Sequence, residues 1–131
     1  MEILSVVAAA LASYIFGSIW YMSLAQPWMQ AAGVEADESG RPVNSGGAMI
    51  YILAFVCALV VAGMMRHIFS LSGIDTPIKG LMSGLGLGLF LAAPWLVTNY
   101  MFAGRSRTLM LIDGGYSTIG CTIMGLVLTL I

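Results

Sequence analysis

Asp113 is the one carboxylate inside a long apolar run of this chain, and Gly114 and Gly115 follow it directly. An unpaired charge at membrane depth costs at least about 2.5 kcal/mol, so a residue of this type in this setting requires a partner. Asn99 lies six residues before Arg105, and Asp113 six residues after Arg107. If the flanking segments are helices joined by the short turn between them, both residues stand about 9 Å from it at 1.5 Å per residue and can meet. Tyr100 and Tyr116 flank the same layer, and alternating helix directions bring Trp20, Tyr21 and Trp28 to the same side.

Three chemistries fit such a cluster. Asp113 can be a buried clasp, hydrogen-bonded to Asn99 or a tyrosine and attracted by Arg105 or Arg107. The two arginines can instead meet an anionic ligand or lipid headgroup in an aromatic-lined pocket. In the third reading Asp113 titrates in proton-coupled transport or catalysis, but no second carboxylate, histidine or nucleophile stands at that depth. No catalytic residue is assigned, and the expectation is a non-enzymatic protein without cofactors.

The remaining reactive side chains carry less. His67 follows Met64, Met65 and Arg66 at the opposite side, and although methionine and histidine can ligate copper(I), a site needs several convergent soft ligands; no metal is expected. Cys57 and Cys121 sit in apolar surroundings that disfavour a reactive thiolate. Gly84, Gly86 and Gly88 have leucines between them inside an apolar segment, which is not the strand-turn-helix setting of a nucleotide fingerprint.

The elements that must position these residues follow from composition. The chain has 131 residues, 60% hydrophobic and only 8% charged, with a formal net charge of -1, against about 25% charged in ordinary soluble domains. This points to a membrane protein whose first partner is the bilayer, and the lack of a basic run excludes nucleic-acid binding. At roughly 20 apolar residues per crossing, four spans fill the chain as a single domain. They are expected at about 3–24, 48–66, 78–103 and 109–131, with a loop at 25–47 rich in Gly, Pro and acidic residues. A signal peptide is disfavoured at the N-terminus, because Glu2 stands where a basic residue belongs and the apolar run is too long. Continuous apolar runs, rather than ten-residue alternation, predict an all-α integral membrane four-helix bundle. Pro94 inside the third span removes one helical hydrogen bond and predicts a kink there, with a carbonyl near Phe90 partly freed.

Each span carries small residues four apart: Ala9, Ser13 and Gly17; Ala54, Ala58 and Ala62; Gly80, Gly84 and Gly88; Ser117, Cys121 and Gly125. Such stripes let helix backbones approach closely in lipid. Packing inside the bundle is the plain use of such stripes; four helices have few internal faces, however, so a surplus is expected, and the glycines of the third span are expected to meet another chain or a partner subunit.

Gly17, Trp20, Tyr21, Leu24 and Trp28 at the end of the first span, with Asp113, Gly115, Tyr116 and Gly125 in the fourth, resemble the domain-of-unknown-function 1761 family of small four-helix bacterial membrane proteins. The resemblance implies architecture and a bacterial inner-membrane location, without an activity. Small multidrug transporters share the length and helix count, but their glutamate in the first helix has no counterpart between Ala8 and Gly17. The functional expectation is helix association, as a homo-oligomer or an accessory subunit of a larger membrane complex. The alternative is a small transporter, channel or ligand-binding protein using the cluster around Asp113.

Overall fold

A computed structural model describes residues 2–38 and 47–131. Its helices, in chain order, are α1 (Glu2–Ser23), α2 (Ala25–Ala32), α3 (Ala48–Ser72), α4 (Pro77–Leu87), α5 (Ala93–Phe102) and α6 (Arg107–Leu130), with a π-helical turn, Gly88–Ala92, joining α4 to α5. Four stretches are long and apolar enough to cross a membrane: α1, α3, the continuous segment Pro77–Phe102, and α6. The four long apolar helices expected from the sequence are therefore present. Arg41 and Asn44 of the first connection lie outside the described residues.

Local chemistry sets the boundaries. Thr76 caps α4 by accepting from the Lys79 N–H, with Pro77 in the first turn, where its missing N–H costs nothing. Ser106 caps α6 by accepting from the Leu109 N–H at 3.2 Å. Two expectations need correction. The segment after Ser23 is not loop throughout, because Ala25–Ala32 forms α2. Pro27 falls in the first turn, where helices tolerate it, and Gly33, at φ 73°, closes the helix in the left-handed conformation. Nor does the second span stop at Arg66. Charged residues do not break helices; α3 runs on to Ser72 and ends at Gly73, at φ 68°, with the Ile74 N–H donating to the Phe69 carbonyl at 3.0 Å. Arg66 is thus a residue of the helix body.

The bundle is built around α1 and α6. On one side α3 packs mainly against α1, burying Ala9, Ala10, Ala58 and Ala62 together with Met65 and Phe69 from α3 and Cys121, Met124 and Leu128 from α6. On the other side α4 lies against α6 almost backbone to backbone. A Cβ added at Gly80 would strike the Gly125 carbonyl oxygen, one at Gly84 the Cys121 carbonyl oxygen, and one at Gly88 would come within 2.6 Å of the Thr118 Cα. The glycine stripe therefore meets α6 of its own chain, not a second chain as expected. Spacing marks a face that permits close approach, but it does not say which helix approaches. The stripe on α6, Ser117, Cys121 and Gly125, is the receiving face, and the Ser117, Thr118, Thr122 and Thr129 hydroxyls bond to carbonyls one turn back. No polar group of that row is left seeking a partner in lipid.

The disturbance expected around Pro94 takes the form of the π turn. The Ala93 N–H reaches the Gly88 carbonyl, five residues back, and Pro94 contributes no N–H of its own.

Candidate polar site at one membrane face

α1 ends, α2 lies, α5 ends and α6 begins at the same end of the bundle, so four elements converge on the second turn of α6. Asp113 is there, 8% exposed. Its Oδ1 accepts from the Tyr21 hydroxyl at 2.5 Å and from the Trp28 indole N–H at 3.2 Å, and its Oδ2 accepts from the Tyr100 hydroxyl at 2.5 Å. Trp20 donates its indole N–H to the Ile112 carbonyl at 2.9 Å, one residue away. One carboxylate thus ties α1, α2, α5 and α6, and among the described residues every donor to it is a neutral aromatic side chain.

The rings continue as one array. Tyr21 meets Trp28 edge-on with centroids 6.1 Å apart and Tyr116 at 5.3 Å; Tyr116 stacks on Phe16 at 6.3 Å, and Phe16 lies 5.6 Å from Trp20. Close approach of the elements makes this possible. A Cβ at Gly17 would fall 2.6 Å from the Tyr116 ring, and one at Gly115 would fall 2.9 Å from Trp20. Gly17 and Gly115 are therefore site residues through what they leave out.

The sequence-derived cluster divides. Asp113, Tyr21, Trp28 and Tyr100 come together by hydrogen bonds, and Trp20 and Tyr116 by packing. Asn99 does not join them. It is exposed, and its neighbour Tyr100 reaches Asp113 instead. Arg105 and Arg107 are exposed as well. Arg105 donates to the Ala32 carbonyl at 3.0 Å, closing α2 onto the α5–α6 turn, and among the described residues no cationic side chain forms an ion pair with Asp113. Arg105 acts as a strap on the C-terminal end of α2, where free carbonyls attract a cation.

Tyr116 also borders a cavity of about 310 Å³ lined by residues of α1, α3, α6 and the π turn. Ala54, Ala58, Ala92 and Gly120 keep it open by being small, and Ser13, Ser117 and Tyr116 give it a polar floor. Small residues on α3 were legible as a stripe, but a cavity between α3 and the third span follows from both packing against other helices.

No curated protein and no solved structure matches this chain. A family model described as a protein of unknown function (DUF1761) matches residues 4–129, and nearly the whole chain, including every residue of the polar site, belongs to that family.

Proposed function

We propose that the protein is a non-enzymatic membrane protein that binds a small cationic ligand at Asp113, entering from the membrane face where α6 begins. The observation that carries this reading is the carboxylate's company. Among the described residues its hydrogen bonds come from neutral aromatic donors and no cation pairs with it, and such partners spread a carboxylate's charge without cancelling it. Ring faces are themselves negative and attract cations, ammonium groups above all. A carboxylate set in an array of tyrosine and tryptophan rings favours a ligand that brings positive charge and sheds little water. The arginines face solvent and the Ala32 carbonyl, which disfavours an anionic ligand at this site. Association through the glycine stripe has lost its support, since those glycines are occupied by α6.

The test uses the two tryptophans of the site as reporters. With Trp95 replaced by phenylalanine, intrinsic fluorescence in detergent micelles is followed during titration with tetramethylammonium chloride, against sodium chloride at equal ionic strength. A saturable change is expected that Asp113→Asn abolishes while helical content stays intact. No saturable change in the parent protein, or an equal one in Asp113→Asn, would overturn the reading.

A further inference from the structure

At the opposite end of the bundle a cavity of about 490 Å³ opens between the start of α1 and the later turns of α3. Ile3, Val6 and Leu59 form its apolar wall, and Glu2, Arg66 and His67 stand around it. Arg66 is drawn into the bundle. Its Nη1 donates to the Leu128 carbonyl at 2.9 Å, in the last turn of α6, while its Nε is buried and has no hydrogen-bond partner among the described residues. Nor do the described residues supply a carboxylate within ion-pair distance of it; Glu2 lines the same cavity without pairing.

A guanidinium is a fork of five donors whose planar geometry matches a phosphate. Here one arm of the fork is fixed on the end of α6 and the guanidinium lines a cavity. A guanidinium with so few acceptors among the described residues is costly in an apolar bundle, and at a membrane face the acceptor at hand is the headgroup layer. The wall fixes the rest of the ligand, because Ile3, Val6 and Leu59 offer a surface for an acyl chain next to the charge. Glu2 at the same cavity would repel a purely anionic headgroup but complement one carrying an ammonium.

We propose that this cavity is a phospholipid site in which Arg66 takes the phosphodiester, Glu2 the headgroup ammonium, and the α1–α3 wall one acyl chain. The site is separate from Asp113, uses the opposite charge, and stands whether or not Asp113 binds a cation.

Native mass spectrometry of the full chain, released from bilayers of phosphatidylethanolamine, phosphatidylglycerol and diacylglycerol in equal amounts, tests this. One retained phosphatidylethanolamine is expected, preferred over diacylglycerol by about tenfold, the worth of one hydrogen bond to a charged group. Arg66→Lys keeps a cation that can reach the Leu128 carbonyl but has no fork and no Nε, and it is expected to lose most of that preference with unchanged thermal unfolding. Glu2→Gln, at the exposed start of α1, is expected to retain phosphatidylethanolamine and phosphatidylglycerol equally. Retention of diacylglycerol at the same level, or retention untouched by Arg66→Lys, would overturn the site. Displacement of the lipid by millimolar inorganic phosphate would overturn the lipid assignment in favour of a soluble phosphate, and equal retention of the two phospholipids by the parent protein would overturn the role of Glu2.

Discussion

Each end of this bundle carries one charged side chain drawn toward its apolar body, and the two ends treat that charge in opposite ways. At the α6 start, Asp113 is surrounded by three donors from three different helices. At the α6 end, Arg66 has among the described residues a bond to the Leu128 carbonyl and a buried nitrogen with no acceptor, with a cavity next to its side chain. Both side chains lack an ion-pair partner among the described residues, so charge alone does not distinguish them. What differs is how far hydrogen bonding has been completed. Asp113 has donors on both of its oxygens, whereas Arg66 stands beside a cavity of about 490 Å³. The finished site also holds helices together, which the unfinished one scarcely does.

The largest loss of stability is expected at Asp113. Replacing it with alanine strands three aromatic donors at once, and at roughly 0.6–1.7 kcal/mol per hydrogen bond in a membrane protein the loss should reach about 2–5 kcal/mol in detergent-induced unfolding. Removing the two hydroxyls instead, in Tyr21→Phe with Tyr100→Phe, keeps the rings and the Trp28 bond, and about 1–3 kcal/mol should be lost. Because both hydroxyls serve one carboxylate, the double variant should depart from the sum of the singles, and strict additivity would show that the carboxylate is not shared. Trp20→Phe, which leaves only the Ile112 carbonyl without its donor, should cost about 0.6 kcal/mol on the same scale. The smallest effect is expected at the other end. Arg66→Leu gives up one bond but also removes an unpaired buried donor, so stability in detergent should stay within about 1 kcal/mol of the parent. If Arg66→Leu proved as damaging as Asp113→Ala, the two ends would be equivalent and the contrast would fail.

Much of the Asp113 site is legible in the sequence, because the depth of a residue in a helical hairpin follows from counting. Counting placed Asp113, Tyr100, Tyr21 and Trp28 in one layer. It chose Asn99 as readily as Tyr100, since two neighbours share a depth to within 1.5 Å but differ by about 100° around the helix, and that rotation depends on structure upstream. The short α2, which carries Trp28 to the carboxylate, was hidden by a Pro27 that its first turn tolerates and by the acidic stretch beyond Gly33. The Arg66 site was hidden for another reason. Ending the second span at Arg66 puts that residue at a helix terminus, whereas the physical stop is Gly73, which leaves Arg66 in the helix body and within reach of α6. The glycine stripe was visible from its spacing, and its partner was not, because close approach is a property of the face alone.

The π turn between α4 and α5 acts as a phase corrector. Positions four apart drift by about 40° per step around an ideal α-helix, so over the distance from Gly80 to Tyr100 a stripe of that spacing would wander well off the face where it began. One wide turn at Gly88–Ala92 takes back much of that drift. Gly80, Gly84, Gly88, Ala92, Leu96 and Tyr100 are accordingly buried or half-buried, while Trp95 and Phe102 are turned outward, 66% and 90% exposed. The same residues wound as a regular α-helix through that turn would bring Trp95 and Phe102 round toward α6 and swing Tyr100 outward, by about 100°. The seam of glycines at one end and the carboxylate's hydroxyl at the other are thus kept in step by that single wide turn.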